Sequence, residues 1–300
     1  MSGWNGIEEF VAVAAAGSFT RGAHAIGMSP THVSRAVMAL ERRVQAQLFH
    51  RTTRSVRLTD VGRIFLERCE RIIQERDEAI AAIGEGGTPQ GHLRVTCSTT
   101  IGERFLAGIL RRFADDHPEL SITIDLTNRV VDVIAEGYDL AVRTGAVSDA
   151  RLGSVQIASR ALVTCASPAY LARAGHPDTV HDLAAHQCLP GTAEAWHYKV
   201  DGALIVHRPA GKFRCNSGNV VAEACLEGAG VCQLPDFYVR PHLQAGTLHP
   251  LLIDYAPDDE PIWVVYARRR MLVPKIRLAI ESLSALASLM TRSPSDSEDG

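Results

Sequence analysis

The chain has no uninterrupted apolar run near the roughly 20 residues that a membrane-spanning helix requires, so nothing in it reads as a bilayer crossing. Its first residues, Met1-Ser2-Gly3-Trp4-Asn5-Gly6-Ile7-Glu8-Glu9, lack the basic start and long apolar core of a secretory signal. The expected location is the cytoplasm. A G-x-S-x-G elbow, a GxGxxG turn, a P-loop and an H-E-x-x-H helix are all missing, and no enzyme activity is expected. Seven cysteines, at 69, 97, 165, 188, 215, 225 and 232, include no CxxC pair and no histidine at zinc-binding spacing. They read as reduced, mostly buried thiols, and neither a metal nor a cofactor is expected.

What the chain does have is length for two or three domains and enough apolar content, 46%, to pack their cores. Its charge is unevenly placed. The whole chain carries −3, yet residues 21–63 hold eight arginines (21, 35, 42, 43, 51, 54, 57 and 63) against Glu41 and Asp60, a local +6. A basic block in a slightly acidic protein is the electrostatic footprint of phosphate binding.

The same block has helix-turn-helix punctuation. A short helix seeded by Ser18 or Thr20 ends at Gly27, where a positive φ is free of strain. A second starts with Ser29 as cap and Pro30 at the first helical position, where its missing N–H costs nothing. Val33, Val37, Leu40 and Val44 recur at three and four and face inward, leaving Thr31, His32, Ser34, Arg35 and Met38 outside. In such motifs the second helix enters the major groove of double-stranded DNA. Arg35 is the candidate for a bidentate guanine contact, and Thr31, His32 and Ser34 for bases or phosphates. Arg35 alone would also fit a solvated helix face; the density of arginine around it favours DNA. From Leu48 to Leu58 basic and β-branched residues alternate, as expected of a two-stranded wing that lays Arg51, Thr52 and Arg54 along the phosphate backbone.

These residues resemble the LysR-type transcriptional regulators of bacteria. The match rests on Phe10, Gly17-Ser18-Phe19-Thr20, Ser29-Pro30-Thr31-His32-Val33-Ser34-Arg35, Leu40-Glu41, Leu48-Phe49-His50-Arg51-Thr52-Thr53-Arg54, Leu58-Thr59 and Gly62. The family usually has a small residue in place of His32 and often Gln in place of Pro30, so the base preference of this helix cannot be copied from relatives. The resemblance implies a winged helix-turn-helix domain over 1–59 and a linker or dimerisation helix with hinge over 60–91. Beyond them it implies a two-lobed, periplasmic-binding-protein-like α/β effector domain over 92–292. Homodimers, or tetramers of two dimers, follow from it as well. Residues 293–300, polar and acidic, read as a disordered tail.

The linker pattern agrees with that division. Thr59 can cap a helix running to about Gly84, and Phe65, Cys69, Ile72, Arg76, Ala79 and Ile83 alternate by four and three, a coiled-coil seam interrupted at Arg76. Gly84 to Gly91 reads as a hinge. Beyond it the grammar is α/β with a largely parallel sheet: strands at 93–97, 120–126 and 140–143, helices at about 101–115 and 130–136, a second unit from about Ala166, a returning strand at 262–266 and a helix over 274–290.

Ligands of open α/β sheets sit beyond the carboxyl ends of strands, near helix N-termini. That rule selects Ser98, Thr99 and Thr100, then Asn128 and Arg129, then Arg143 and Thr144. In the second lobe it selects Asn216, Ser217, Gly218 and Asn219. The resemblance places a small-molecule effector between the lobes and matches Ser98 to Thr100 most directly; the residue types suggest an anion. Helix capping explains Ser, Thr and Asn at such turns equally well. Arg143 is a candidate carboxylate partner, or else it neutralises a neighbouring Asp, and Trp196 and Phe237 are apolar walls or core. Two further readings stay open: a thiol switch of the kind used by peroxide-sensing LysR relatives, for which Cys225 with Cys232 and Cys188 with Cys215 are the pairs to weigh, and a solute-binding module formed by 92–290.

Overall fold

The computed structural model describes residues 5–51, 56–81, 87–145 and 149–291. Thr52, Arg54, the start of the hinge, Ile83 and the 293–300 tail lie outside the described residues. The chain divides into two compact units, Met1–Gly87 and Thr88–Gly300.

In the first unit, helices α1 (Ile7–Ala16), α2 (Phe19–Ala25) and α3 (Pro30–Val44) surround Phe10, Val13, Ala23, Val33, Val37 and Leu40. Ser18 caps α2 by accepting from the Arg21 amide at 3.4 Å, and Ser29 caps α3 by accepting from the His32 amide at 3.2 Å. Strands β1 (Phe49–Arg51) and β2 (Val56–Leu58) pair antiparallel, with His50 opposite Arg57, and form the wing. Glu41 anchors its start: Oε1 accepts from the amides of Leu48 at 2.9 Å and Phe49 at 3.3 Å.

Helix α4 (Asp60–Ala81) follows, and its geometry corrects the expected seam. Cys69 is fully buried in the core of this unit, with Phe65, Leu66 and Ile73 packed against the same cluster. Arg76 turns toward the head as well and pairs with Glu8 of α1 and with Asp77. The outward apolar row is instead Val61, Ile64, Ile72 and Ile80, which are 53%, 65%, 39% and 66% exposed. A 22-residue helix cannot keep one face against a head built of three shorter helices, so the inner face is spent locally and the outer one left over.

The second unit has two lobes. In the first, strands β3 (Gly91–Cys97), β4 (Leu120–Leu126), β5 (Leu140–Thr144), β6 (Leu152–Arg160) and β12 (Glu260–Ala267) lie in the order β4-β3-β5-β12-β6. In the second, β7 (Leu162–Ala166) is flanked by β10 (Cys232–Pro235) and β11 (His249–Leu251), and β8 (Trp196–Val200) pairs with β9 (Ala203–His207). The chain passes from β6 into β7 through Ala161 alone and returns by β12. In each sheet the strand arriving from the other lobe lies between two neighbours and is antiparallel to both. The expected largely parallel sheet therefore holds only around β3, which is parallel to β4 and β5.

Two expected helices differ. Residues 130–136 form turns instead of a helix: Asp132 Oδ1 accepts from the amides of Ile134 at 3.0 Å and Ala135 at 2.9 Å, offering the backbone a local alternative. The last helix is broken into α10 (Pro274–Leu283) and α11 (Leu286–Thr291), and Ser284 Oγ donates back to the Glu281 carbonyl at 2.6 Å at the break. The first-lobe core joins β3, β5 and β12 to Ile276, Ile280 and Leu283 of α10.

Thr59 fixes the step from wing to α4. Its Oγ1 accepts from the Gly62 amide at 2.9 Å and donates to the Gln47 carbonyl at 2.8 Å, and a Cβ on Gly62 would stand 2.1 Å from the Leu48 carbonyl oxygen. Thr59→Ala removes the cap while leaving the close approach intact. It is expected to cost about 1 kcal/mol of stability, read as a fall of a few degrees in melting temperature by circular dichroism. Gly62→Ala should cost more, because backbone must move.

Candidate functional site

On α3, Thr31, His32, Arg35 and Met38 are exposed and Ser34 is half-buried, so the expected face is outward. The Ser29 hydroxyl is occupied by the cap and Pro30 sits at the first helical position. His32 Nε2 lies 3.3 Å from Oε1 of Glu9, a buried residue of α1, which ties α3 to α1. His32 thereby has a positioning role in addition to its place on the face. The backbone of Arg51 closes the β1–β2 pair opposite Val56.

In the second unit a cleft of about 660 Å³ opens between the lobes. Of the sequence-selected residues, Ser98, Asn128, Arg129, Arg143, Thr144, Asn216 and Gly218 line it, as do Trp196 and Phe237. Thr99, Thr100, Ser217 and Asn219 do not. Thr100 is buried and its hydroxyl bonds Tyr238, while Asn219 accepts from Arg104 Nη2 at 3.4 Å. The capping alternative also separates by residue. Ser98 makes no capping bond; the Thr99 amide donates instead to Asn128 Oδ1 at 3.1 Å, and Asn128 Nδ2 donates to the Asn216 carbonyl at 2.9 Å. One side chain therefore joins the first lobe to the second.

Arg129 is engaged by Glu136, whose two oxygens it meets with both terminal nitrogens. Arg143 is not held this way. Its Nη2 donates to the Thr96 hydroxyl at 2.7 Å and its Nη1 to the Val142 carbonyl at 3.0 Å. Its Nε is buried with no partner, and among the described residues no carboxylate pairs with it. Burial, outweighing the nearby Cys97 thiol, pushes the guanidinium pKa down from its ordinary value. The expectation of a neighbouring Asp is thus corrected: the charge in the cleft wall is left for something else.

Comparison with known proteins fits both units. Residues 4–63 match the bacterial regulatory helix-turn-helix protein, LysR family, and residues 86–288 match the LysR substrate binding domain. The chain belongs to the LysR family. The HTH-type transcriptional activator AaeR of Escherichia coli K12 is 31% identical over 280 residues, covering 92% of this chain and 91% of AaeR. Among solved structures, the LysR-type regulator CrgA of Neisseria meningitidis superposes with a TM-score of 0.56 at 30% identity, covering 96% of this chain and 98% of that one. The full-length Vibrio cholerae virulence activator AphB gives 0.59 at 25% identity, covering 93% and 97%.

The cleft of this LysR-type regulator includes residues that sequence reasoning missed. Arg160 donates from Nε to Glu260 Oε2 at 2.9 Å and from Nη2 to the Thr144 hydroxyl at 3.4 Å, and all three line the cleft. Gln233 accepts from the His197 amide at 3.3 Å and returns a bond to its carbonyl at 3.1 Å. Arg104 reaches from the first lobe to the Phe237 carbonyl and to Asn219. It sits on a π-helical turn, Gly102–Leu106, a distortion often found at functional positions.

Thr100→Val removes a hydroxyl from Tyr238, not from the cleft. It is expected to lower the melting temperature by an amount matching about 1 kcal/mol and to leave the effector dose-response within about twofold of wild type. A large shift in the dose-response with unchanged stability would return Thr100 to the cleft.

Proposed function

We propose that this LysR-type regulator binds double-stranded DNA through the α3 face and the wing, and that a small anion bound between the lobes of its second unit controls that binding. The observation that carries the effector reading is Arg143: a cleft-wall guanidinium with a buried, unpartnered Nε and, among the described residues, no carboxylate paired with it. An anion would supply the missing acceptor and the countercharge together. Ser98, Asn128, Thr144, Asn216 and Gly218 surround the same space, Trp196 and Phe237 give it apolar walls, and Arg160 brings a second guanidinium already shared with Glu260.

The DNA reading gives each residue a distinct effect. Arg35 is the base-reading residue of α3, with Thr31, His32 and Ser34 beside it, and Arg51, Thr52 and Arg54 hold phosphates. Arg35→Ala is expected to cost about 1–3 kcal/mol on the cognate site and to relax preference at one base pair. Arg54→Ala should weaken specific and random DNA alike and flatten the salt dependence. Gel shifts on a selected site and on a scrambled one, at two salt concentrations, separate the two; equal behaviour of both variants refutes the division.

Self-association runs through the outer row of α4. A charge at Ile72 would be buried in a helix pair at high cost, so Ile72→Asp is expected to halve the mass seen by light scattering and to abolish cooperative binding to paired half-sites. An unchanged mass would assign the row to another partner.

For the cleft, the decisive comparison is thermal stability against a panel of small mono- and dicarboxylates. At least one is expected to raise the melting temperature of the wild type, and Arg143→Gln should lose that rise, equivalent to about tenfold or more in affinity. The ligand-free variant should be as stable as wild type or more so, since it buries less uncompensated charge. A carboxylate-induced rise that survives in Arg143→Gln overturns the role given to Arg143.

A further inference from the structure

Three cysteines far apart in sequence meet in the second lobe. Cys165 on β7 and Cys232 on β10 are register partners, with their sulfurs 3.5 Å apart. Cys225 comes from α8 (Gly218–Leu226), and the three Sγ atoms all lie within 4.8 Å of one another. All three residues have no solvent exposure and sit among Leu189, Val221, Leu234, Val239 and Leu248. Cys225 Sγ also donates to the carbonyls of Cys165 at 3.5 Å and Gly230 at 3.4 Å.

We infer that this triad is a binding site for a trivalent thiophilic metalloid of the arsenite or antimonite class. Three convergent sulfurs select a soft centre over an oxygen-seeking one. Three thiolates carry three negative charges, and the surrounding side chains are apolar. A divalent zinc would leave one negative charge buried and a monovalent ion two, which is costly without a partner. A trivalent centre leaves none. With arsenous acid the exchange balances: three As–O bonds break, three As–S bonds form, and each hydroxyl leaves with one thiol proton as water. Arsenic stays trivalent and nothing is oxidised or reduced.

The site has a route to the cleft. Cys232 precedes Gln233, Leu234 and Pro235, all of which line the cleft, and α8 begins at Gly218 on its rim. Drawing the three sulfurs onto one centre would move β10 and α8 together.

The test uses the full-length, reduced protein equilibrated with sodium arsenite and then desalted. A single arsenic per chain is expected by mass spectrometric metal analysis, with three sulfur neighbours and no oxygen by X-ray absorption, and a raised melting temperature. Retention should be lost in Cys225→Ser and Cys232→Ser and kept in Cys69→Ser and Cys215→Ser. Where a serine variant fails to fold, the wild-type absorption spectrum decides alone. No retained arsenic, a centre with two sulfurs and an oxygen, retention that survives Cys232→Ser in folded protein, or preferential loading by zinc when both are offered would each overturn the assignment. None of these outcomes depends on the carboxylate reading of Arg143.

Discussion

A guanidinium held in a cleft wall without a countercharge is the constraint on which the second unit turns. Transferring a charge out of water costs several kcal/mol, and hydrogen bonds to a hydroxyl and a carbonyl recover only part of it. Arg143 donates those two bonds, to the Thr96 hydroxyl and the Val142 carbonyl, and among the described residues its Nε finds no partner. Elsewhere in the same lobe a buried carboxylate has its countercharge: Asp139 accepts from the Arg94 amide at 2.8 Å and pairs with Arg270 at 2.5 Å and Lys275 at 3.6 Å. A protein that satisfies Asp139 three times over and leaves Arg143 open has concentrated its electrostatic deficit at the cleft. That is where an anion gains most by binding.

The topology explains why the cleft exists to receive it. Because β6 runs into β7 with one intervening residue and β12 returns, the lobes are joined by two extended segments and share no sheet. Hinged lobes need ties that break and form at small cost. Asn128 links the Thr99 amide to the Asn216 carbonyl, and Arg104 links the π-helical turn to Phe237 and Asn219. The neutral bonds of Asn128 are worth about 0.5–1.5 kcal/mol net each and the bonds of the charged Arg104 about 1.5–3. Ties of this strength set a resting geometry without locking it.

Much of this was legible in the sequence, for identifiable reasons. The head was readable because each of its features is local: Ser29 before Pro30, apolar residues at three and four along α3, Thr59 three residues before Gly62. The cleft was partly readable, since ends of strands can be located from pattern alone, and seven of the eleven residues so selected do line it. Thr99, Thr100, Ser217 and Asn219 failed because a strand-to-helix turn has two sides, and pattern does not say which side faces the cleft. Arg160 and Glu260 were missed because the stretch from Leu152 to Ala166 holds no Gly, Pro, Asn or Asp beyond Gly153 to mark where one sheet ends and the other begins. The α4 seam was misjudged for a different reason. A helix with two apolar faces satisfies a heptad count on either, and only the position of the head decides that Phe65 and Cys69 turn inward. Spacing offered Cys225 with Cys232 but not the triad, because Cys165 joins them only through β-pairing with Cys232 across 67 residues.

A regulator of this kind needs two states that a ligand binds unequally, since equal affinity for both shifts nothing. The resting ties and the unanswered charge provide that inequality together. With the cleft open, an anion near Arg143 remains largely hydrated and gains little. With it closed, water is excluded, the local dielectric falls, and the same contact strengthens while Arg160 and the second-lobe groups come within reach. Moving a two-state equilibrium from one per cent to ninety-nine requires about 5.5 kcal/mol of differential affinity. One charge-assisted hydrogen bond, at about 1.5–3 kcal/mol, is too small for that. On the reading proposed above, an anionic effector would therefore have to engage both lobes at once, and ligands that reach Arg143 but span too little of the cleft would bind without switching. Length across the cleft, as much as charge, separates an inducer from an occupant.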